Sequence, residues 1–375
     1  MANAVEYSKH MFKKLLGDFQ TDEDLENVFL YNNYEGFGED FKDFNNLRFL
    51  EKGVFLNNII WFCFSIKPKK EDVFDNESSV FVGFINCKFA SKDIDSLEQA
   101  QISEFDIHAG FFLRIVKDVD IKLNENFPAT QIEQNLAFQH KDSFYKGHEF
   151  EEVKSYFEDM TVFEVGKDSV VMTSKPKVKA QYIISYSSSC VRLPLGEVGD
   201  GMRELFAESS PLLFDNVFSA LTSTYWEHAF LELYRAVEAI YQIPKVTSLK
   251  ESLGDRAKDL SVIDLARACY EKLGWRPFEK ESLKSLLRII SVQELEKLVD
   301  FGIINQPEDF GTEDDRRNKI IEKGAEEIYK TRNKLVHRIY YYRESIATDA
   351  EWQNLLKFLV IFVSSIYSHY SKFLK

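Results

Sequence analysis

The run Glu326-Glu327-Ile328-Tyr329-Lys330-Thr331-Arg332-Asn333-Lys334-Leu335-Val336-His337-Arg338 holds the densest chemistry in the chain. An arginine, an asparagine and a histidine fall within six residues of one predicted helix, surrounded by Lys330, Lys334 and Arg338. Cleaving a phosphodiester takes a group with a near-neutral pKa to move protons. It also takes a cation to stabilise the charge that builds on the phosphate oxygens. His337 and Arg332 are the candidates for these two roles. Arginine and histidine on a cationic helix also describe an ordinary solvated face, so the helix geometry matters.

At about 100° per residue, Ile328, Leu335, Ile339 and Tyr342 share one stripe, which should face a helical core. Asn333, His337 and Tyr340 lie on the opposite side. Arg332 sits about 50° from the centre of the stripe, so its guanidinium must run along the edge of the core. A carboxylate such as Glu238 can hold it there. The same pairing between two helices is a common structural device, and both readings stay open at this point.

The segment resembles the Arg-X4-His signature of HEPN domains, with Arg332 and His337 at its ends and Asn333 after the arginine. The upstream run from Tyr225 to Tyr241, with Glu238 between Val237 and Ala239, resembles the first long helix of Apea-like HEPN domains. Together they cover roughly the last 160 residues, an ordinary domain length. The resemblance implies an all-α bundle and a metal-independent endoribonuclease of bacterial anti-phage defence or of a toxin–antitoxin system. In it the 2′-hydroxyl attacks the adjacent phosphorus, leaving a 2′,3′-cyclic phosphate and a 5′-hydroxyl. Arg332, Asn333 and His337 would be catalytic and Glu238 supporting, with no cofactor. Lys330, Lys334, Arg338 and Arg343 suit RNA phosphates, and Tyr340 and Tyr341 suit stacking on unpaired bases. The resemblance further implies a homodimer in which two motif helices meet across a twofold axis. It also implies an antitoxin or phage-derived trigger as partner, with the first half as sensor or restraint. The alternative is a catalytically inactive HEPN-like module for RNA binding or dimerisation.

Charge is distributed unevenly. Residues 1–200 hold 22 basic and 34 acidic side chains, and residues 201–375 hold 25 and 27. The acidic half is unsuited to broad nucleic-acid binding, so RNA contact is expected locally on the second half. Cys63, Cys87, Cys190 and Cys269 form no metal-spaced set and read as free thiols in a reducing compartment. The acids Asp93, Asp95, Glu98, Glu104 and Asp106 are too loosely spaced for a metal centre. His108, His140, His148 and His369 have no partners at ligand spacing, and Ser187–Cys190 reads as a strand end or turn. The first residues lack a signal peptide's basic-then-apolar pattern. The apolar stretches 54–66 and 355–363 are too short or too polar to span a bilayer. A cytoplasmic protein without membrane contact is the expectation.

The overall pattern predicts an α+β chain, with a β-rich domain over 1–195 and a helical domain over 202–375. Residues 7–17 predict a short helix and 21–47 irregular chain. Strands are predicted at 54–56, 59–64, 80–85, 111–116, 161–165, 169–173 and 180–186 from their aromatic and β-branched content. A hairpin turn is predicted at 166–168, a loop over 71–79, and helices at 93–102 and 148–158. Three glycines and a proline in Pro194–Gly201 predict a boundary or linker. Beyond it, Thr224 and Glu227 predict a capping box, followed by Trp226, Phe230, Leu233, Val237 and Ile240 at helical spacing. Further helices are predicted at 281–299 and 351–372, with Leu355, Leu359, Phe362 and Ile366 on one face of the latter. The stretch 306–317 predicts a mobile loop ahead of the motif helix.

Overall fold

The structure is a computed structural model. It describes residues 2–16, 47–55, 58–66, 79–137, 147–207, 210–254, 259–273, 278–307, 311–337 and 347–374. The chain is mixed α+β and divides into two compact units, Met1–Ser189 and Cys190–Lys375.

The first unit is built on a five-stranded antiparallel sheet. After helix α1 (Ala2–Leu16) come strands β1 (Leu47–Val54), β2 (Ile60–Ile66) and β3 (Ser79–Ile85). They are followed by α2 (Ser91–Gln99), β4 (Ile102–Phe105), α3 (Ala109–Val119), α4 (Ala129–Ala137), α5 (Phe150–Ser155), β5 (Met160–Val165) and α6 (Pro176–Ile184). The spatial order is β1-β2-β3-β5-β4. Strands β2 and β3 are buried along almost their whole length, which makes them near-continuous apolar runs. Phe62, Phe64 and Phe81 join Met11, Phe12, Phe111 and Phe112 in one core with α1 and α3. Gly83 of β3 lies under the ring of Phe62, where an added Cβ would stand 2.0 Å from Cζ.

Three of the expected strands are absent. Residues 111–116 lie in α3, which His108 caps by accepting the Phe111 N–H at 3.2 Å. Residues 180–184 lie in α6, opened by Pro176. Helix α6 is buried along nearly all of its length, so it has no polar face to mark a helical period. Residues 111–116 are instead mainly the apolar side of α3, whose polar stripe of Arg114, Lys117 and Asp118 runs on past them. Residues 170–173 are turns rather than the second arm of a hairpin, and β5 pairs with β3 and β4 instead. Strand β1 shares only Val54 with the strand expected at 54–56, ending where that one should begin. It is a largely exposed edge strand carrying Arg48, Glu51 and Lys52, charges typical of an unpaired sheet edge. Most of the expected irregular stretch 21–47 and loop 71–79 lies outside the described residues.

The second unit is helical. Its helices are α7 (Glu197–Glu204), α8 (Pro211–Leu221), α9 (Trp226–Glu238), α10 (Ile243–Leu253) and α11 (Val262–Leu273). They continue with α12 (Glu279–Leu287), α13 (Val292–Asp300), α14 (Glu313–Val336) and α15 (Asp349–Tyr370). The apolar stripe expected on α9 is buried throughout, as is that on α15. The expected linker glycines Gly199 and Gly201 lie inside α7, and a Cβ at Gly201 would stand 3.0 Å from Val360. Helix α9 is capped by Tyr225 without a side-chain bond, so Thr224 and Glu227 form no capping box. The helix expected over 281–299 is two helices. Ser291 accepts from Glu294 N–H at 3.2 Å, and the Glu294 carboxylate accepts from Ser291 N–H at 2.7 Å, a reciprocal cap that starts α13.

The acidic run Glu313–Asp315 is the first turn of α14, capped by Thr312, rather than part of a mobile loop. Acids there face the positive end of the helix dipole. Helix α14 packs on α13 through Gly324, where an added Cβ would stand 2.5 Å from Cδ1 of Leu298. It runs antiparallel to α12, as the ion pairs Lys280–Glu326 at 3.2 Å and Lys284–Glu322 at 3.8 Å show. Among the described residues, no helix is long and apolar enough to cross a membrane.

Candidate functional site

Helix α14 carries the motif. Ile320, Ile321, Gly324, Ala325, Ile328 and Thr331 are buried along it, which sets the rotation of the helix and hence the direction of every other side chain. Ile328 is buried as expected and Leu335 half-buried. Ile339 and Tyr342, expected to extend the stripe, lie outside the described residues.

Arg332 leaves the edge of this stripe with its side chain 20% exposed. Its Nη1 donates to Oδ1 of Asn333 at 3.1 Å, and its Nη2 donates to Oε1 of Glu238 at 3.3 Å and to Oε1 of Glu279 at 3.4 Å. The guanidinium carbon lies 6.0 Å from the centre of the Tyr234 ring, at the outer limit of a cation–π contact. Tyr241 donates to the Tyr234 hydroxyl at 2.8 Å beneath the cluster. Three helices thus converge on one side chain: α9 brings Glu238 and Tyr234, α12 brings Glu279, and α14 brings Arg332 and Asn333.

Burial raises the Glu238 carboxyl above its ordinary value. Arg332 opposes that shift, and the neighbouring charge of Glu279 adds to it. Burial raises the phenols of Tyr234 and Tyr241 as well, so both are neutral hydrogen-bonding groups near pH 7.

His337 is exposed and forms the C-cap of α14, its N–H bonded to Asn333 O at 3.0 Å. The motif histidine therefore stands at the end of its helix rather than within it. It stands five positions beyond Arg332, which is about 7.5 Å along the axis and about 140° around it. In one copy of the chain, the arginine and the histidine face different directions. Lys330 and Lys334 are exposed, and Lys330 reaches Glu327 at 3.5 Å. Arg338, Tyr340, Tyr341 and Arg343 lie outside the described residues.

Glu279 is the member of the cluster that sequence reading missed. An acid in the first turn of a helix is a routine feature, and nothing in its neighbours selects Arg332 as its partner. Elsewhere in the unit, a cleft of about 420 Å³ is lined by Glu197, Glu204, Glu294, Lys357 and apolar neighbours from α7, α13 and α15. It shares no residue with the Arg332 cluster. In the first unit, Asp93 accepts from Ala90 N–H, Ser188 N–H and the Ser188 hydroxyl at 2.9 to 3.0 Å. Asp93 and Ser188 thus clamp two loops together. No family model, curated protein or solved structure matches the chain.

Proposed function

We propose that the helical unit is a HEPN-like, metal-independent endoribonuclease. The observation that supports this most is the anchoring of Arg332 by Glu238, Glu279 and Asn333 while His337 stays open at the end of the same helix. A guanidinium held by its neighbours is preorganised to meet developing charge, and an exposed imidazole is accessible for proton transfer. In the reaction, His337 takes the proton of the RNA 2′-hydroxyl as its oxygen bonds to phosphorus. The phosphorus–O5′ bond breaks, and the leaving oxygen receives a proton from an imidazolium. The products are a 2′,3′-cyclic phosphate and a 5′-hydroxyl. Arg332 stabilises the non-bridging oxygens, Asn333 positions a phosphate or the ring, and Lys330 and Lys334 attract the strand.

The angle between Arg332 and His337 favours a site shared by two copies, in which the arginine of one and the histidine of the other approach the same phosphate. The first unit then acts as sensor or restraint for a phage-derived trigger or antitoxin.

A second reading is favoured by the same ion pairs. With two carboxylates on one nitrogen, Arg332 can serve only as a pin between helices, and the unit is then an inactive RNA-binding or dimerisation module. Incubating the purified protein with RNA in excess EDTA, and identifying the fragment ends, separates the two. Cleavage leaving cyclic phosphates supports the nuclease. Intact RNA under all conditions, or cleavage only with added divalent metal, removes it.

A further inference from the structure

Two carboxylates converge on Nη2 of Arg332, and only one is needed to hold the helices together. Glu238 comes from the last turn of α9, and its pairing with Arg332 links α9 to α14. Glu279 is the first residue of α12, a helix already tied to α14 by Lys280–Glu326 and Lys284–Glu322. Adding Glu279 leaves the trio with one net negative charge in a partly dehydrated place. Its second oxygen, Oε2, is buried with no hydrogen-bond donor, an arrangement that costs stability and calls for a reason.

The dipole of α12 does not supply that reason. Glu281 sits in the same first turn and faces water, its side chain 58% exposed, so an acid can serve that helix end without turning inward. What Glu279 does offer is an anion on the guanidinium, at a position where the forked donors of arginine accept carboxylate and phosphate alike.

We propose that Glu279 stands where a phosphodiester oxygen of single-stranded RNA binds, and that RNA displaces its carboxylate from Arg332 while Glu238 keeps the guanidinium aimed. This rests on the ribonuclease reading above. Glu279 is then the residue against which every phosphate must compete, and it sets the threshold for RNA entry.

The test uses full-length protein carrying His337→Ala to silence cleavage, and the fluorescence anisotropy of a labelled single-stranded oligoribonucleotide. Adding Glu279→Gln should tighten binding by about three- to tenfold, the effect of removing one partly exposed competing charge. In an Arg332→Ala background the same change should shift affinity by less than about twofold, because the competitor acts through the arginine. Arg332→Lys replaces that background if the alanine variant fails to fold, and Glu279→Ala serves as an independent second substitution. Unchanged or weaker binding in Glu279→Gln overturns the proposal while leaving the ribonuclease reading intact. A gain that persists without Arg332 also overturns it, since general repulsion would then be the cause. Absence of RNA binding in all folded variants removes both together.

Discussion

Nη2 of Arg332 lies 3.3 Å from Oε1 of Glu238, a residue 94 positions earlier in the chain. The motif arginine is therefore part of the bundle's framework as well as a candidate for chemistry. His337, exposed at the helix end, carries no such double duty.

That difference separates the two residues experimentally. His337→Ala should abolish RNA cleavage while shifting stability by no more than about 0.5 kcal/mol, as exposed substitutions do. Arg332→Ala should abolish cleavage and also cost about 1–2 kcal/mol, a buried-pair loss discounted for partial exposure. Melting curves and cleavage assays on the same samples decide the matter. A folded His337→Ala protein cutting at the wild-type rate eliminates the assigned chemistry. If the protein is a toxin, both variants should be tolerated on expression where the wild type stops growth.

Stability should carry a pH signature from Glu238. Its folded carboxyl titrates above its ordinary value of 4.5, chiefly through burial. The folded state then binds more protons than the unfolded state in that range, so this contribution is complete below about pH 4.5 and is lost as pH rises through the folded value. Relative to Glu238→Gln, the wild type should lose stability as pH rises above about 4.5. Urea unfolding of both proteins across this range measures it, and parallel profiles would contradict the raised titration.

Much of the helical unit could be read from periodicity alone, because α9 and α15 each bury one face and expose another. Trp226, Phe230, Leu233 and Val237 repeat at helical spacing and are all buried. The pairing of Glu238 with Arg332 followed from the position of Arg332 at the edge of its stripe. Ala180–Ile184 gave the wrong element because α6 is surrounded by core and has no polar side to betray its period. Phe111–Val116 did so because Lys117 and Asp118, which complete the polar stripe begun by Arg114, lie just beyond that apolar run. Glu279 was illegible for a different reason. Its partner depends on how α12 docks against α14, and no local pattern encodes that.

If the site is shared, the protein should dimerise through its helical unit. Light scattering at micromolar concentration should give twice the 43.8 kDa chain mass. Mixing His337→Ala with Arg332→Ala should restore part of the activity, because one intact composite site re-forms in each mixed dimer. A monomer that remains fully active at nanomolar concentration would rule out the shared arrangement.

In the first unit, Gly83→Ala should destabilise by about 1–3 kcal/mol, since the new methyl group collides with a ring that is itself packed in the core. The midpoint of urea unfolding reads this out, and Phe62→Leu in the same chain should recover part of the loss by vacating the space above residue 83. Equal stability of Gly83→Ala and wild type would mean that the ring moves aside freely.

Gly324 sets a length scale for the chemistry. With Leu298 seated against its bare backbone, α14 has one axial position relative to α13, and a shift of one turn would drive a Cβ-bearing residue into that contact. Arg332 lies eight residues farther on, about 12 Å along the axis. The place where the guanidinium meets its carboxylates is thus measured from a missing side chain two turns away. A one-turn slip of about 5.4 Å would carry the arginine out of reach of both acids. The helix works as a ruler with its zero mark at Gly324, so sequences that drift in the motif while keeping this glycine would still deliver residue 332 to the same point in space.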